Sequence, residues 1–530
     1  MPDSTLQIDQ LLDILAQVDP GSAFYRQAAQ VLDAHLVRKD GPEIPSTSPR
    51  GLPRTLTIGM ATYDDFDGVY FSVQAIRLFH PEVTADTEIL VIDNHPEGPA
   101  AAPLKKLERY VKHLRYVPAP FAQGTAVRDL VFREAAGEFV LCMDSHVLFP
   151  PGTLAKLLQY IENHRESRDL WQGPLLGDDF EKIGTHFDPV WSAGMWGVWG
   201  RDPRGLDPSA EPFEIPMQGL GMFCCRRDAW PGLNPRLRGF GGEEGCLHEK
   251  FRLAGARTLC LPFLQWLHRF PRPHGVPYTH DWESRIRNYL LLFDELGLDR
   301  SPVLEHFEKY LGAGPARAAQ EAADREFSSP FHFFDAIYCI NLRQATGRWK
   351  AVEARFEALG IAARVRRFPA IETPSNHHIG CALSHRAILA EARQRGLQNV
   401  LVFEDDVVFS VDAAERLRPN IEELEHQDWK TLYLGGHRWG RKFEKAPGCQ
   451  HLEVPHGVTC THAIAYHESI YDRILDDIPA SPSGVALWLR QHAGIDQYYA
   501  RELDGLHLIT NPIIASQGSI VKEEAQSFSV

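Results

Sequence analysis

The chain has few cysteines, no long apolar run and no excess of positive charge, and each lack removes a class of function. Its nine Cys include no C-x-x-C pair, and the only adjacent two, Cys224 and Cys225, do not readily bridge each other. That excludes a disulfide framework and the common zinc-binding spacings, and it fits a reducing, cytoplasmic setting. No stretch reaches the apolar length of a membrane span, and the opening MPDSTLQIDQLLDIL carries acids where a signal peptide carries basic residues. The expectation is a soluble, unsecreted protein with no membrane span. Lys and Arg total 55 against 70 Asp and Glu, for a net charge of −15. A nucleic-acid backbone is therefore not the expected partner. Acidic residues still suit a diphosphate when a divalent cation reverses the local field.

With 44% hydrophobic, 24% charged and 10% aromatic residues over 530 positions, the composition is that of an ordinary globular protein of about two to four domains. Leu6, Leu11, Leu12, Leu15, Val31, Leu32 and Leu36 recur at helical spacing around a break at Pro20-Gly21. They predict a short helical segment, followed by a Pro-rich linker from Lys39 to Arg54. From Leu56 the chain alternates between strands (LTIGMAT, EILVID, LRYVPA, FVLCMD) and helices (VYFSVQAIRLF, AAPLKKLERYV, TAVRDLVFREAAG). A second series runs AIYCINL, WKAVEARFEALG, NVLVFEDDVVF. Such alternation predicts α/β units with mostly parallel sheets covered by helices on both faces. The Ala- and Gly-rich stretch from Gly312 to Arg325 is the expected boundary. The organisation read is thus 1–50 helical segment and linker, 51–310 first domain, 311–330 linker, 331–530 second domain.

Ligands in open α/β sheets bind beyond the carboxyl ends of the strands. The first series ends strands in Thr62-Tyr63-Asp64-Asp65, Asp93-Asn94 and Asp144-Ser145-His146. An Asp and a His one residue apart project on the same side and suit one divalent ion; a solvated turn would use the same residue types. The blocks TIGMATYDD, LVIDN, QGTAVRD and AAGEFVLCMDSHVLFPPGTL resemble the nucleotide-binding half of a GT-A glycosyltransferase of the family 2 type. The Asp-Ser-His form of its Asp-x-Asp motif is similar to that of polypeptide N-acetylgalactosaminyltransferases. PMQGLGMFCCRRDAW, LRGFGGEEGCLHEKFRLAG and WLHRF follow in that family's order, with Phe240 where the family has Trp. The resemblance implies a Rossmann-like GT-A domain in which Asp144, His146 and His268 hold manganese, with magnesium as the alternative, and the donor diphosphate. It makes Glu243 the active-site carboxylate. Thr62 and Asp93 are assigned to the nucleoside and Arg128 to a phosphate, with Arg269 or Arg272 as a further cation. Trp191, Trp196 and Trp199 are candidates either to stack on a sugar or to pack in the core.

The C-terminal part contains INLRQATGRW, IGCALSHRAIL, VLVFEDDVVF, THAIAYHESIYDRIL, GIDQYYA and NPIIASQGS. Three acids after an apolar strand can hold a metal diphosphate or form an exposed loop. Together the blocks, over about residues 335 to 520, resemble glycosyltransferase family 25, which includes lipooligosaccharide galactosyltransferases and collagen galactosyltransferase domains. The resemblance implies donor contacts at Asn341, Arg343, Arg348, Ser384, His385 and Gln517. It also implies a metal motif at Glu404, Asp405 and Asp406, with Asp496 as catalytic base or second metal contact. Gly380 belongs to the same G-C-x-L-S-H element, in which His385 has the alternative of bonding only a backbone carbonyl. His377, His378, His456 and His462 match no zinc-site spacing, so no zinc site is expected.

The expected protein is a bifunctional glycosyltransferase with two GT-A-like domains, nucleotide-sugar donors of the UDP class, and a protein, peptide or oligosaccharide acceptor. The alternatives are one active domain fused to a degenerate glycan-binding partner, or a nucleotidyltransferase on a related sheet.

Overall fold

The computed structural model of the chain describes residues 4–37, 54–83, 87–119, 124–177, 179, 181–269, 281–439 and 443–518. The chain divides into two compact units, Thr47–Asp324 and Arg325–Val530 together with Met1–Ser46. The division falls inside a helix, Ala313–Phe327, within the Ala-rich stretch. Most of the linker read from Lys39 to Arg54 lies outside the described residues.

In the first unit the strands Arg54–Thr62, Thr87–Asp93, Leu114–Pro118 and Gly137–Asp144 pair in parallel, in the order third, second, first, fourth. Every residue of Thr87–Asp93 is buried, as expected for a parallel strand covered on both faces. Leu56, Ile58 and Met60 share one core with Ile89, Val91, Phe139, Leu141 and Met143. On the opposite face the helix Val127–Glu134 packs so closely that a Cβ at Gly59 would lie 2.2 Å from Val131 Cγ1. Beyond the fourth strand the sheet continues through Met222–Arg226, Leu170–Gln172, Thr258–Cys260 and Phe213–Glu214, the first of these antiparallel to its neighbour. The sheet is therefore mixed, and its parallel part is the segment for which the sequence predicts a nucleotide-binding half. Strand order reverses between the first and fourth strands, where a crevice forms at the carboxyl edge. The register sets Thr62 beside Asp93 and Ala61 beside Asp144 at that edge.

The second unit repeats the plan with more antiparallel pairing. Ala336–Asn341 lies between Val365–Pro369 and Asn399–Glu404, parallel to both, and Ala463–His467 then pairs antiparallel with Asn399–Glu404. Alternate residues serve opposite cores. Ile337, Cys339, Leu401 and Phe403 pack with the helices Thr346–Ala358 and Ala413–Leu424, whereas Tyr338, Ile340, Val400 and Val402 pack with His377–Arg395 and Glu468–Asp477.

The helical segment at the start of the chain joins this second core. Its helices are Ser4–Leu15 and Ala23–Leu36, the latter capped by the Ser22 hydroxyl, which accepts from Tyr25 N at 3.0 Å. Leu12, Leu15, Leu32 and Leu36 are buried in the cluster that contains Val485 and Leu489. Leu11 and Val31, read with the same apolar stripe, are exposed, and the side chain of Leu6 lies outside the described residues. Asp33 Oδ1 accepts from Ser483 N at 2.7 Å, and Asp13 pairs with Arg490 at 2.7 Å. Leu32→Ala should therefore lower the stability of the second unit by about 2–5 kcal/mol. Denaturant unfolding of the full chain checks this, and an unchanged midpoint for that unit would rule the docking out.

Candidate functional sites at the two strand edges

In the first unit, the strand Gly137–Asp144 delivers Asp144 to the crevice, and the turn that follows carries the buried Ser145 and His146. The strand Trp266–His268 pairs antiparallel with Val147–Leu148, with His268 opposite Val147, which brings the distant His268 to the same place. His268 Nε2 lies 3.0 Å from His146 Nε2 and 3.2 Å from Asp144 Oδ2. Ligand atoms of all three residues lie within 4.8 Å of one another. The sequence named these three as one set, and the fold brings them together.

What orients the set is Asp65, which the sequence reading passed over. Its Oδ2 accepts from the Ser145 hydroxyl at 2.6 Å and from His146 Nδ1 at 3.0 Å, while Oδ1 caps the helix Phe66–Phe79 at Gly68 N. A carboxylate on one imidazole nitrogen leaves the other as an unprotonated ligand pointing inward. Burial alone would raise the Asp65 pKa, but the hydrogen bonds from His146 and Ser145 outweigh it and hold the group well below the usual range. Burial likewise opposes ionisation of Asp144. The hydrogen bond from His268 and the Arg128 charge overcome it, taking its pKa down to about 2. Two imidazole nitrogens and an ionised carboxylate form a donor set suited to a divalent transition metal.

Arg128, assigned from the sequence to a phosphate, bridges the crevice. Its Nη2 lies 3.2 Å from Asp144 Oδ1 and its Nη1 3.3 Å from Glu243 Oε1. Glu243 is buried and reaches this position after Gly241 and Gly242, at φ +93° and +103°, backbone that residues with a Cβ rarely adopt. Burial and the neighbouring Glu244 charge push the Glu243 pKa up. Glu243 Oε2 is buried with no hydrogen-bond partner among the described residues.

Other assignments change. Asp93 is wholly buried, with Oδ2 taken by the Tyr116 hydroxyl at 2.7 Å and Oδ1 by His95 N at 3.0 Å. Both carboxylate oxygens are thus already hydrogen-bonded within the unit. Thr62 is buried beside Asp93, its hydroxyl without a hydrogen bond among the described residues. Trp191 and Trp196 pack with Tyr289, Phe293 and His306 in an aromatic core, and only Trp199 is exposed. Arg269 Nε and Nη2 are buried next to His268 with no hydrogen-bond partner among the described residues, and the guanidinium lies over the Phe71 ring, 5.9 Å from its centroid; Arg272 lies outside the described residues.

In the second unit the three acids after Asn399–Glu404 do not converge. Glu404 Oε1 lies 3.4 Å from His385 Nε2 and accepts from the Thr461 hydroxyl at 2.6 Å. Asp405 Oδ2 accepts from Asn341 Nδ2 at 2.5 Å and pairs with Arg348 at 2.9 Å. Asp406 Oδ2 accepts from Gln517 Nε2 at 2.8 Å, while its Oδ1 is buried without a partner. Among the described residues they form no common ligand set; only Glu404 joins one, with Cys381 and His385. Asn341, Arg348 and Gln517 therefore meet the acids directly. Arg343 is exposed. Asp496 stands in the first turn of the helix Ile495–Glu502, with Oδ2 accepting from Cys460 N at 3.1 Å.

Ser384 is fully buried, and its hydroxyl donates to Gly380 O at 2.7 Å and accepts from Ile371 N at 2.9 Å, which ties it to its own helix and to a neighbouring loop. Gly380 is required there because a Cβ would meet Ile371 O at 2.1 Å. His385 is equally buried and lies between the Tyr466 hydroxyl, 3.0 Å from Nδ1, and Glu404. Ser384→Ala should cost about 1–3 kcal/mol of stability by stranding the Ile371 amide and leave the donor KM unchanged. Denaturant midpoint and donor titration check both, and a raised KM at unchanged stability would restore the donor role.

Residues 57–229 match the family model described as glycosyl transferase family 2, and residues 316–454 that of glycosyltransferase family 25 (LPS biosynthesis protein). Among related proteins, procollagen galactosyltransferase 1 of Danio rerio is 38% identical over 98 residues, 17% of this chain and 16% of that protein. Inactive glycosyltransferase 25 family member 3 of Homo sapiens is 43% identical over 150 residues, 23% of this chain and 25% of that protein. The chain thus spans a quarter or less of these relatives. Among solved structures, GalNAc-T7 with UDP, GalNAc and Mn2+ aligns at 16% identity and TM-score 0.36, covering 52% of this chain and 58% of that one. The mannosyltransferase PcManGT from Pyrobaculum calidifontis with GDP-Man and Mn2+ aligns at 18% and 0.32, covering 67% and 97%. No helix among the described residues is long and apolar enough to cross a membrane. By its two family matches, the chain carries a glycosyl transferase family 2 domain and a glycosyltransferase family 25 domain in tandem.

Proposed function

We propose that each domain transfers a sugar from a nucleotide-sugar donor, of the UDP class, to a protein, peptide or oligosaccharide acceptor. The convergence of Asp144, His146 and His268 on one point carries the reading for the first unit. A divalent cation held there, manganese before magnesium, would offset the charge that develops on the leaving diphosphate. Arg128 ties Asp144 to Glu243 and so fixes the carboxylate relative to the diphosphate side of the crevice. Glu243 Oε2, buried and without a hydrogen bond among the described residues, would accept one from the acceptor hydroxyl and orient it toward the sugar. Arg269 offers a second cation to phosphate oxygens. In the second unit, Asp406 Oδ1 and Asp496 are the carboxylate atoms proposed for the donor metal and the acceptor. All nine cysteines are free thiols, which supports a reducing, cytoplasmic location.

A second reading has specific support. The acids of the second unit do not converge, and four relatives of its family are named inactive or probable inactive. On this reading the first unit catalyses and the second only binds glycan.

The test is a panel of nucleotide-sugars with manganese, with nucleoside diphosphate release and glycoside formation both measured. Formation of a glycoside from at least one donor is expected. Production of pyrophosphate or free nucleotide-sugar in its place would turn the assignment to a nucleotidyltransferase.

A further inference from the structure

One cluster in the second unit has a composition that differs from a diphosphate site. Cys381 and His385 stand at i and i+4 on the helix His377–Arg395, so their side chains share one face. The strand Asn399–Glu404 ends against that face. One ligand atom each from Cys381, His385 and Glu404 falls within 4.8 Å of the other two.

The surroundings orient these ligands. His385 is 0% exposed, and its Nδ1 lies 3.0 Å from the Tyr466 hydroxyl. That leaves Nε2 facing Glu404 Oε1 at 3.4 Å, longer than a normal hydrogen bond between these atoms. The Thr461 hydroxyl donates to the same carboxylate oxygen at 2.6 Å. Outer hydrogen bonds of this kind fix the tautomer and direction of metal-binding imidazoles and carboxylates. A thiolate, an imidazole and a carboxylate together favour zinc over manganese or magnesium, and three protein ligands leave a fourth position open.

We propose that Cys381, His385 and Glu404 bind one zinc-class divalent cation. The thiol proton passes to solvent as the sulfur–metal bond forms, so binding releases one proton. Asp405 takes no part, because its Oδ2 is held by Asn341 and Arg348. The site goes beyond the proposed sugar transfer and stands whether or not the second unit turns over a donor.

The test uses the full chain stripped by chelator and titrated with Co2+ alone as a visible stand-in for zinc. A thiolate-to-cobalt charge-transfer band that saturates with added Co2+ and disappears on adding Zn2+ is expected. The Asp144, His146 and His268 set contains no sulfur, so that band reports only on a cysteine site. Cys381→Ala, checked for folding by near-ultraviolet circular dichroism, should lose the band completely. Glu404→Gln keeps the thiol and should weaken Co2+ binding by at least about 10-fold, which preserves the test if the first variant fails to fold. Absence of the band in the unmodified chain, its survival in Cys381→Ala, or unchanged affinity in Glu404→Gln would overturn the proposal.

Discussion

Asp144→Ala should lower sugar transfer by the first unit at least about 10³-fold, a loss of roughly 4 kcal/mol of transition-state stabilisation. The size follows from what the carboxylate touches. Asp144 contributes one atom of the ligand set and also anchors Arg128 at 3.2 Å. Removing it disturbs the proposed metal and the proposed acceptor carboxylate together. Its effect should therefore exceed that of His146→Ala or His268→Ala, each of which leaves the Asp144 anchor of Arg128 in place. Manganese binding followed by electron paramagnetic resonance should fall in step with activity. A variant that bound manganese as before and still lost activity would place Asp144 in the acceptor machinery and not in the metal set.

Glu243→Gln should reduce kcat by about 10²–10⁴-fold while donor and manganese affinities stay unchanged. The side chain keeps its shape and still reaches Arg128, so the loss isolates the carboxylate's charge and its ability to accept a hydroxyl proton. The physical basis is the buried, unpaired Oε2. A buried acceptor atom without a partner is uncommon and marks a place where a ligand completes the hydrogen bonding. Steady-state kinetics with the donor found in the panel, together with calorimetry for nucleoside diphosphate, separates the two quantities. Unchanged kcat would return Glu243 to a purely structural role at the start of its helix.

Much of the first site was legible because its parts sit where an α/β sheet must place polar groups. The strand that ends in Asp144-Ser145-His146 and the strand that ends in Thr62 run parallel and adjacent, so their ends meet. His268 came from motif order, and the antiparallel pairing with Val147–Leu148 explains why that order works. Asp65 was missed because its sequence signal, an acid just before a helix, reads equally as an ordinary cap. In fact Oδ1 caps the helix and Oδ2 holds His146. The partners of Asp93 were hidden for a related reason. A strand-end acid does not reveal whether a neighbour such as Tyr116 has already taken its oxygens.

The second unit was harder to read residue by residue. Ser384 sits in a motif, but a motif does not distinguish a hydroxyl that meets substrate from one that bonds its own helix and a loop amide. Three consecutive acids suggested one metal, yet successive residues after a strand point to different sides, toward Thr461, Arg348 and Gln517. The pairing of Cys381 and His385 with Glu404 is not legible in the sequence, because i and i+4 positions on a helix match no common zinc spacing and Glu404 comes from a separate strand. The opening helices showed an apolar stripe, and amphipathic spacing declares that a face is buried without naming its partner.

The claim of two donor sites is tested most directly by comparing the intact chain with Asp144→Ala and Asp406→Ala across the nucleotide-sugar panel in manganese. Each variant is expected to lose turnover of a different donor and to keep the other. If Asp406→Ala left every activity unchanged while Asp144→Ala removed them all, only the first unit would catalyse, and the two-site account would be contradicted.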